Sequence, residues 1–246
     1  MNFDFIGKNI IRFPQIDSTN KYIKKNLDKL ENGTLVTAEL QYAGRGRLGS
    51  DWQADYGMLP FSFLIRDMEN PTQAAILTPI AVCRALEQLY DINIYIKWSN
   101  DIIAYDKKVC GILCESIIFD GKINIICGVG INLHQNQAFF DNNTLPHAAS
   151  MLTLTGKSIS KDIVLDKMIL NLKEVFSTGF KSLKEEYKLR SATLGKVVKI
   201  QKSNKEIIAK AIDIDNDGLL ICKKDGTVFS VNSGEVHVRG IYGYID

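Results

Sequence analysis

Proline and histidine are scarce in this chain, with 5 and 3 copies in 246 residues, and cysteine is both scarce and odd in number at five. Cys83, Cys110, Cys114, Cys127 and Cys222 form no Cys-x-x-Cys pair, so neither a disulfide framework nor a zinc site is expected. They read as reduced, mostly buried thiols in a reducing compartment. An excess of one charge sign is also missing. The chain has 30 Lys and Arg against 28 Asp and Glu, a formal net charge of +2, which gives no general pull on nucleic acid or anionic lipid. Any cationic site must therefore be a local concentration. No apolar run approaches the roughly 18–20 residues that span a bilayer. Met1-Asn2-Phe3-Asp4-Phe5 lacks the basic-then-apolar start of a secretory signal, so a cytoplasmic protein is expected. Repeats and low-complexity tracts are absent, and 46% hydrophobic with 24% charged residues is ordinary globular composition. The length fits one large domain or a domain with a small appendage.

The pattern along the chain mixes strands and helices. Residues 10–16 read as a short strand, and Asp17-Ser18-Thr19-Asn20 can cap a helix because short oxygen side chains accept from free N–H groups. Tyr22, Ile23, Leu27 and Leu30 carry helical spacing, with Gly33 as terminator. Strands follow at 35–40 and 59–65, and a helix over 72–90 that Pro79 should offset or kink. Ile92, Ile94, Ile96 and Trp98 alternate with polar neighbours, a half-buried strand. Runs at 102–105, 109–118 and 122–131 are separated by Asp106-Lys107 and by the hairpin signal Asp120-Gly121, so this part is an antiparallel meander. A long amphipathic helical pattern covers 161–189. Beyond Ser191, short β-rich runs punctuated by Asn216-Asp217-Gly218 and Asp225-Gly226 suggest a small β-barrel, with the boundary near 190.

Four segments carry chemistry. Gly44-Arg45-Gly46-Arg47-Leu48-Gly49 matches the Gly-x-Gly-x-x-Gly dinucleotide fingerprint in form, but no apolar helical face follows it to hold a pyrophosphate. Its glycines permit close backbone approach and its arginines grip carboxylate or phosphate, so it reads as an anion-gripping loop or, alone, as a solvated basic turn. Lys97-Trp98-Ser99-Asn100-Asp101 stands where a strand ends, and Lys108 opens the next one. Each is also compatible with a plain exposed turn. Gly128 and Gly130 within one strand imply that another group approaches the backbone, or else a bulge. No Ser–His–Asp or Cys–His arrangement is present.

Taken in order, these segments resemble the biotin protein ligase family, also called biotin–[acetyl-CoA-carboxylase] ligase, in its monofunctional form. The matching residues are Asp17-Ser18-Thr19-Asn20, Gln41 with the Gly44–Gly49 loop and Trp52, and Lys97-Trp98-Ser99-Asn100-Asp101. Lys108-Val109-Cys110-Gly111-Ile112-Leu113-Cys114-Glu115, Gly128-Val129-Gly130-Ile131-Asn132 and, more weakly, Gly234-Glu235 and Arg239 complete the match. Ser99 departs from the usual Pro, which loosens that turn without removing a reactive group. The resemblance implies an α+β fold with a mixed, largely antiparallel sheet like a class II aminoacyl-tRNA synthetase (residues 1–190) and a C-terminal SH3-like barrel (191–246). It also implies a reaction: biotin and ATP, with Mg²⁺, form biotinyl-5′-adenylate, which a lysine of a biotin carboxyl carrier protein then attacks.

Carried over by position, Ser18, Thr19 and Gln41 would bond the biotin ureido ring with Asn20 in support. Arg45, Gly46 and Arg47 would close over biotin and the adenylate, and Lys108 would hold the carboxylate. Trp52, Asn100, Asn132, Lys97 and Arg239 would serve ATP, and Asp101 a metal or the loop. Arg47, Lys97 and Lys108 are the implied catalytic cations. Bifunctional relatives carry an N-terminal helix-turn-helix unit, for which the start of the match at residue 17 leaves no room, so no specific DNA binding is expected. No membrane partner is implied, and a homodimer is left open. A lipoate-handling relative and a non-catalytic nucleotide- or nucleic-acid-binding module are the competing readings.

Overall fold

The computed structural model describes residues 2–202, 205–232 and 237–240. Its centre is a seven-stranded sheet in the order β1-β2-β5-β9-β8-β7-β6. The strands are β1 (Ile10–Ile16), β2 (Leu35–Gln41), β5 (Met58–Ile65), β6 (Tyr95–Lys97), β7 (Asp101–Ala104), β8 (Lys107–Phe119) and β9 (Lys122–Asn132). Two short strands, β3 (Gly44–Arg45) and β4 (Asp51–Trp52), pair as a separate ribbon. Only β1 and β2 run parallel; β2–β5, β5–β9, β9–β8, β8–β7 and β7–β6 are antiparallel, so the sheet is mixed and largely antiparallel.

Alternation along each strand divides the core. Every residue of β5 is buried, and Phe61, Phe63 and Ile65 join the large cluster under the helices α2 (Ala74–Tyr90) and α5 (Lys161–Thr178). Leu64 turns to the opposite face, where Val36 and Ile126 meet Ile23, Leu27 and Leu30 beyond the short helix α1 (Thr19–Lys25). The helix α1 begins where its sequence asks, with the Ser18 side chain accepting from the Lys21 N–H. It stops at Asn26, seven residues before Gly33. Leu27 and Leu30 keep the apolar face but sit in turns, and Gly33, at φ +80°, donates its N–H to the Leu64 carbonyl. Pro79 lies inside α2 without ending it; a 3₁₀ turn at Pro71–Gln73 precedes that helix. The expected helix over 161–189 is broken at Gly179 (φ +77°) into α5 and α6 (Phe180–Leu189), because a residue in that conformation does not continue a right-handed helix. Two further short helices, α3 (Gln137–Asn142) and α4 (Met151–Thr155), follow β9.

The C-terminal strands β10 (Val197–Lys202), β11 (Lys205–Ile214), β12 (Leu220–Lys224), β13 (Thr227–Val231) and β14 (His237–Gly240) form an antiparallel sheet in the order β13-β12-β11-β10-β14. Among the described residues β13 and β14 are its two edges and do not pair, so the expected closed barrel does not appear in the strand pairing. A barrel requires its sheet to close on itself.

This sheet docks on the strand that carries Lys97. Ile96 accepts from Ala192 N–H and donates to the Arg190 carbonyl, while Trp98 donates its backbone N–H to Thr193 Oγ1 at 2.9 Å and its indole N–H to the Gly218 carbonyl at 3.0 Å. No helix among the described residues is long and apolar enough to cross a membrane.

An ion-pair network ties α2, α5 and α6 beside this junction. Arg84 holds Glu186 at 2.6 Å and Glu174 at 2.8 Å, and Arg190 holds Glu87 at 2.6 Å and Glu186 at 2.9 Å. Burial raises the Glu186 pKa, but its bonds to Arg84 and Arg190 outweigh that and leave it below the usual value. A carboxylate with a lowered folded pKa stabilises the fold above its unfolded pKa, and the contribution fades as pH falls through the folded one. Glu186→Gln should therefore cost about 1.5–3 kcal/mol at neutral pH. In urea titrations the gap to wild type should narrow below about pH 4.5, and a gap independent of pH would contradict the assignment.

Candidate active site

One cavity of about 1300 Å³ opens over the face of the sheet at β8 and β9. That exceeds the roughly 300–1,000 Å³ of a cleft for one small ligand. Its wall contains Ser18, Thr19, Asn20, Gln41, Arg45, Gly46, Arg47, Trp52, Lys97, Asn100, Asp101, Lys108 and Asn132. The structure thus gathers residues from seven separate stretches of sequence at one place. Arg239 is the exception among the expected residues: its side chain, like Gly234 and Glu235, lies outside the described residues.

The floor is bare backbone. A Cβ on Gly111 would fall 2.5 Å from Trp52 Cζ3, and one on Gly130 would fall 3.0 Å from Trp52 Nε1. A Cβ on Gly128 would meet Asn20 Oδ1 at 2.2 Å. The paired strand glycines therefore mark close approach rather than a bulge, and β9 keeps an unbroken register with both neighbours. Trp52 lies across the floor, its indole N–H donating to Met58 Sδ at 2.7 Å. Lys108 Nζ stands 5.0 Å from the centre of that ring, within the range of a cation–π contact.

The Gly-Arg-Gly-Arg loop is a short ribbon over this floor whose tip is one 3₁₀ turn (Arg47–Gly49), and no α-helix follows it. Gly44 pairs with Trp52 and Arg45 with Asp51, and the Gly46 N–H donates to the Ser50 carbonyl at 2.7 Å. The ribbon turns Arg47 inward, where its Nη1 donates to Asn100 Oδ1 at 2.9 Å and to Ser99 Oγ at 3.4 Å. Ser99 thus gives the loop an acceptor that a proline could not. Burial lowers the Arg47 pKa, and the charge of Asp101 opposes that. The guanidinium stays charged at neutral pH and, being partly desolvated, gains from any anion brought against it.

Lys108 forms an ion pair with Asp101 at 2.6 Å. Its backbone is pinned by the segment that closes the cavity's far end: Lys108 N–H donates to the His147 carbonyl and Ala149 N–H to the Lys108 carbonyl. Asn132, expected to aim its amide into the space, also serves this segment by donating to the Ala149 carbonyl at 3.2 Å. Six cationic side chains (Lys21, Lys24, Arg45, Arg47, Lys97, Lys108) line the cavity against three carboxylates (Asp51, Asp101, Glu115). This is the local positive concentration that a near-neutral chain required. The end beside α1 is rich in hydrogen-bond donors and acceptors: Gln41 Oε1 accepts from the Thr19 N–H at 2.9 Å, and Asn20 donates to Glu115 Oε2 at 2.8 Å.

Several wall residues carried no signal in a single sequence. Phe139, Phe140, Leu145 and His147 come from the segment after β9 and reach the cavity only through its fold. Ser62 is fully buried behind the wall and joins Thr19 to Asn20; a lone serine in the apolar run Met58–Ile65 was the available clue. Burial raises the thiols of Cys83, Cys110 and Cys127 well above their usual range, so none is an ionised nucleophile at neutral pH.

Comparison with known proteins agrees with this arrangement. The model of the biotin/lipoate A/B protein ligase family matches residues 12–132, and that of the biotin protein ligase C terminal domain matches 193–239. A solved biotin protein ligase from Aquifex aeolicus, in complex with biotin and ATP, superposes with a TM-score of 0.82 at 30% identity, over 95% of this chain and 99% of that one. The bifunctional ligase/repressor BirA of Salmonella typhimurium is 28% identical over 94% of this chain and 74% of its own length. The biotin–[acetyl-CoA-carboxylase] ligase of Paracoccus denitrificans is 26% identical over 91% and 98%. The chain belongs to the biotin/lipoate A/B protein ligase family, on its biotin protein ligase branch.

The glycine floor yields a direct test. Gly111→Val should push Trp52 from its seat, because the new side chain starts inside the indole's contact distance. Overpacking of this kind costs about 1–3 kcal/mol. With two tryptophans in the chain and Trp98 buried, a red shift in emission would report the displaced ring. An unshifted spectrum would show that the floor does not hold it.

Proposed function

We propose that this protein activates biotin with ATP and transfers it to a lysine of a biotin carboxyl carrier protein. The observation that carries the reading is one cavity that joins the hydrogen-bonding side chains of Thr19, Asn20 and Gln41 to the cations Arg47, Lys97 and Lys108. Ser18, Thr19 and Gln41 would receive the ureido ring, with Asn20 bracing them, and the acid tail would run over the glycine floor beside Trp52 toward Lys108. Arg45, Gly46 and Arg47 would cover the acyl phosphate. ATP would lie along Trp52, Asn100, Asn132 and Lys97, with Arg239 reaching it from the C-terminal unit.

In the first step a biotin carboxylate oxygen attacks the α-phosphorus of ATP. A new O–P bond forms, the α–β bridge breaks, and pyrophosphate leaves. In the second, the carrier lysine's amine attacks the acyl carbon, AMP departs with the bonding electron pair, and the amine sheds a proton. Two anions must meet in the first step. At about 4 Å, unit charges repel by roughly 4 kcal/mol at an effective dielectric of 20. Arg47, Lys97 and Lys108 are positioned to offset that repulsion, which is electrostatic stabilisation by fixed groups. The Asp101–Lys108 pair holds the lysine in place until the carboxylate competes for it. No cluster of three metal-binding side chains occurs among the described residues. Mg²⁺ would ride mainly on the phosphates of ATP, with Asp101, which pairs with Lys108, as the protein carboxylate that could touch it. Bound there, the metal would neutralise phosphate charge.

We further read residues 1–190 as the catalytic unit and 191–246 as a barrel of SH3-like type that supports the site or docks the carrier. Trp98, bonded to both Thr193 and Gly218, supports the first of these roles.

Biotin-dependent release of pyrophosphate from ATP tests the activity. Release that depends on lipoate and not on biotin would transfer the protein to the other branch of its family, and no release would leave a binding module. Lys108→Ala should lower the rate of adenylate formation at least 100-fold, a loss larger than the destabilisation that follows from breaking its ion pair with Asp101. Normal turnover would contradict its role. Arg47→Ala should release the adenylate into solution faster by about 10-fold or more, as one charge-assisted contact is removed. Unchanged dissociation, followed by trapping of the free adenylate, would count against the loop as its cover.

A further inference from the structure

Behind the hydrogen-bonding end of the cavity, three oxygen–oxygen contacts share two hydroxyl protons. Ser62 Oγ lies 2.6 Å from Asn20 Oδ1 and 2.6 Å from Thr19 Oγ1, and Thr19 Oγ1 lies 3.2 Å from Gln41 Oε1. Ser62 and Thr19 supply one proton each. The assignment of those protons is fixed from the far end. Asn20 Nδ2 faces Glu115 Oε2 at 2.8 Å and the Leu113 carbonyl at 3.3 Å, and both partners only accept. The Asn20 amide is therefore held with its oxygen toward Ser62, so Ser62 must donate to Asn20. Ser62 Oγ can then only accept from Thr19, whose proton is drawn inward. The longest of the three contacts, to Gln41, is the one left without a proton.

We infer that Glu115 and Ser62 are positioning residues that set the hydrogen-bond polarity of the ligand pocket. With its proton committed to Ser62, Thr19 Oγ1 presents lone pairs to the cavity. Gln41 Oε1 is occupied by the Thr19 N–H, which leaves Gln41 Nε2 as a donor. The pocket therefore offers an acceptor beside a donor, complementary to a cyclic urea, which places an N–H beside a carbonyl. Neither residue needs to touch the ligand: Ser62 is fully buried, and Glu115 acts through Asn20. Replacing the carboxylate by an amide adds a donor, which allows Asn20 to turn over and the chain of protons to reverse. This inference rests on the assignment of Thr19 and Gln41 to the ureido ring.

The test is calorimetric titration of the full chain with biotin and with an analogue methylated on both ureido nitrogens, which lacks the N–H that Thr19 would accept. Wild type should prefer biotin. Glu115→Gln and Ser62→Ala should each weaken biotin roughly 10-fold, the equivalent of one hydrogen bond. Both should leave the analogue within twofold of wild type, so that the preference shrinks. A loss of packing alone would weaken both ligands alike. Thr19→Val and Gln41→Ala separate the two levels of the claim. If those two lose biotin while Glu115→Gln and Ser62→Ala keep full affinity and preference, the relay is wrong and the pocket assignment stands. If all four bind biotin as wild type does, the pocket assignment falls and the relay with it.

Discussion

The site exists because two side chains lie against main chain where no Cβ stands. Asn20 rests on Gly128, and the Trp52 indole rests on Gly111 and Gly130; a methyl group at any of these positions would intrude on the side chain. The β8–β9 pairing places Gly111 directly opposite Gly130, so the two strands form one flat patch. The patch must be rigid to be useful, and it is: β9 lies between β5 and β8, paired on both sides along most of its length. Strand interiors normally disfavour glycine. Here its cost is borne by the most heavily paired part of the sheet.

From that floor the two ends of the cavity follow. The ribbon from Gly44 to Trp52 can close because Trp52 has a seat, and its closure carries Arg47 to Asn100. Asn20 can brace the hydrogen-bonding end because Gly128 lets it approach. The cations are held by neighbours rather than left to solvent: Arg47 by Asn100, Lys108 by Asp101, and the strand of Lys97 by the junction with the C-terminal sheet. Fixed charges in a partly desolvated cleft need little rearrangement when anions arrive, which is the source of their effect on a reaction between two anions.

Much of this could be read before any coordinates. Alternating isoleucines and the Asp120-Gly121 turn announced the meander, and the arginine loop suggested an anion site, whereas the Lys97 segment and Lys108 alone were equally compatible with exposed turns. Family resemblance then tied them to one another, because spacing alone does not show that Ser18 and Asn132 share a wall. The remainder depends on tertiary contact. Helix α1 ends at Asn26 although its apolar spacing runs on, since Leu27 and Leu30 can bury from turns as well as from a helix. Gly179 breaks the long helical pattern through a backbone angle that periodicity does not register. Ser62 stands out only as a lone serine in an apolar strand, with no sign of its partners, and Phe139 to His147 carry no pattern that would place them over the cavity. Asn132 lines the cavity, and its amide also donates to the Ala149 carbonyl, a contact that the sequence does not reveal.

The central claim is that one cavity holds an acid tail and a nucleotide together on the glycine floor, between Thr19 and the cations. A crystal structure of the protein grown with biotin and ATP tests it most directly. The account predicts continuous density for the joined adenylate, with its ring between Thr19 and Gln41 and its acyl phosphate within hydrogen-bond reach of Arg47 and Lys108. Density for the two compounds at separate places, or Arg47 and Lys108 turned away from an empty floor, would contradict it.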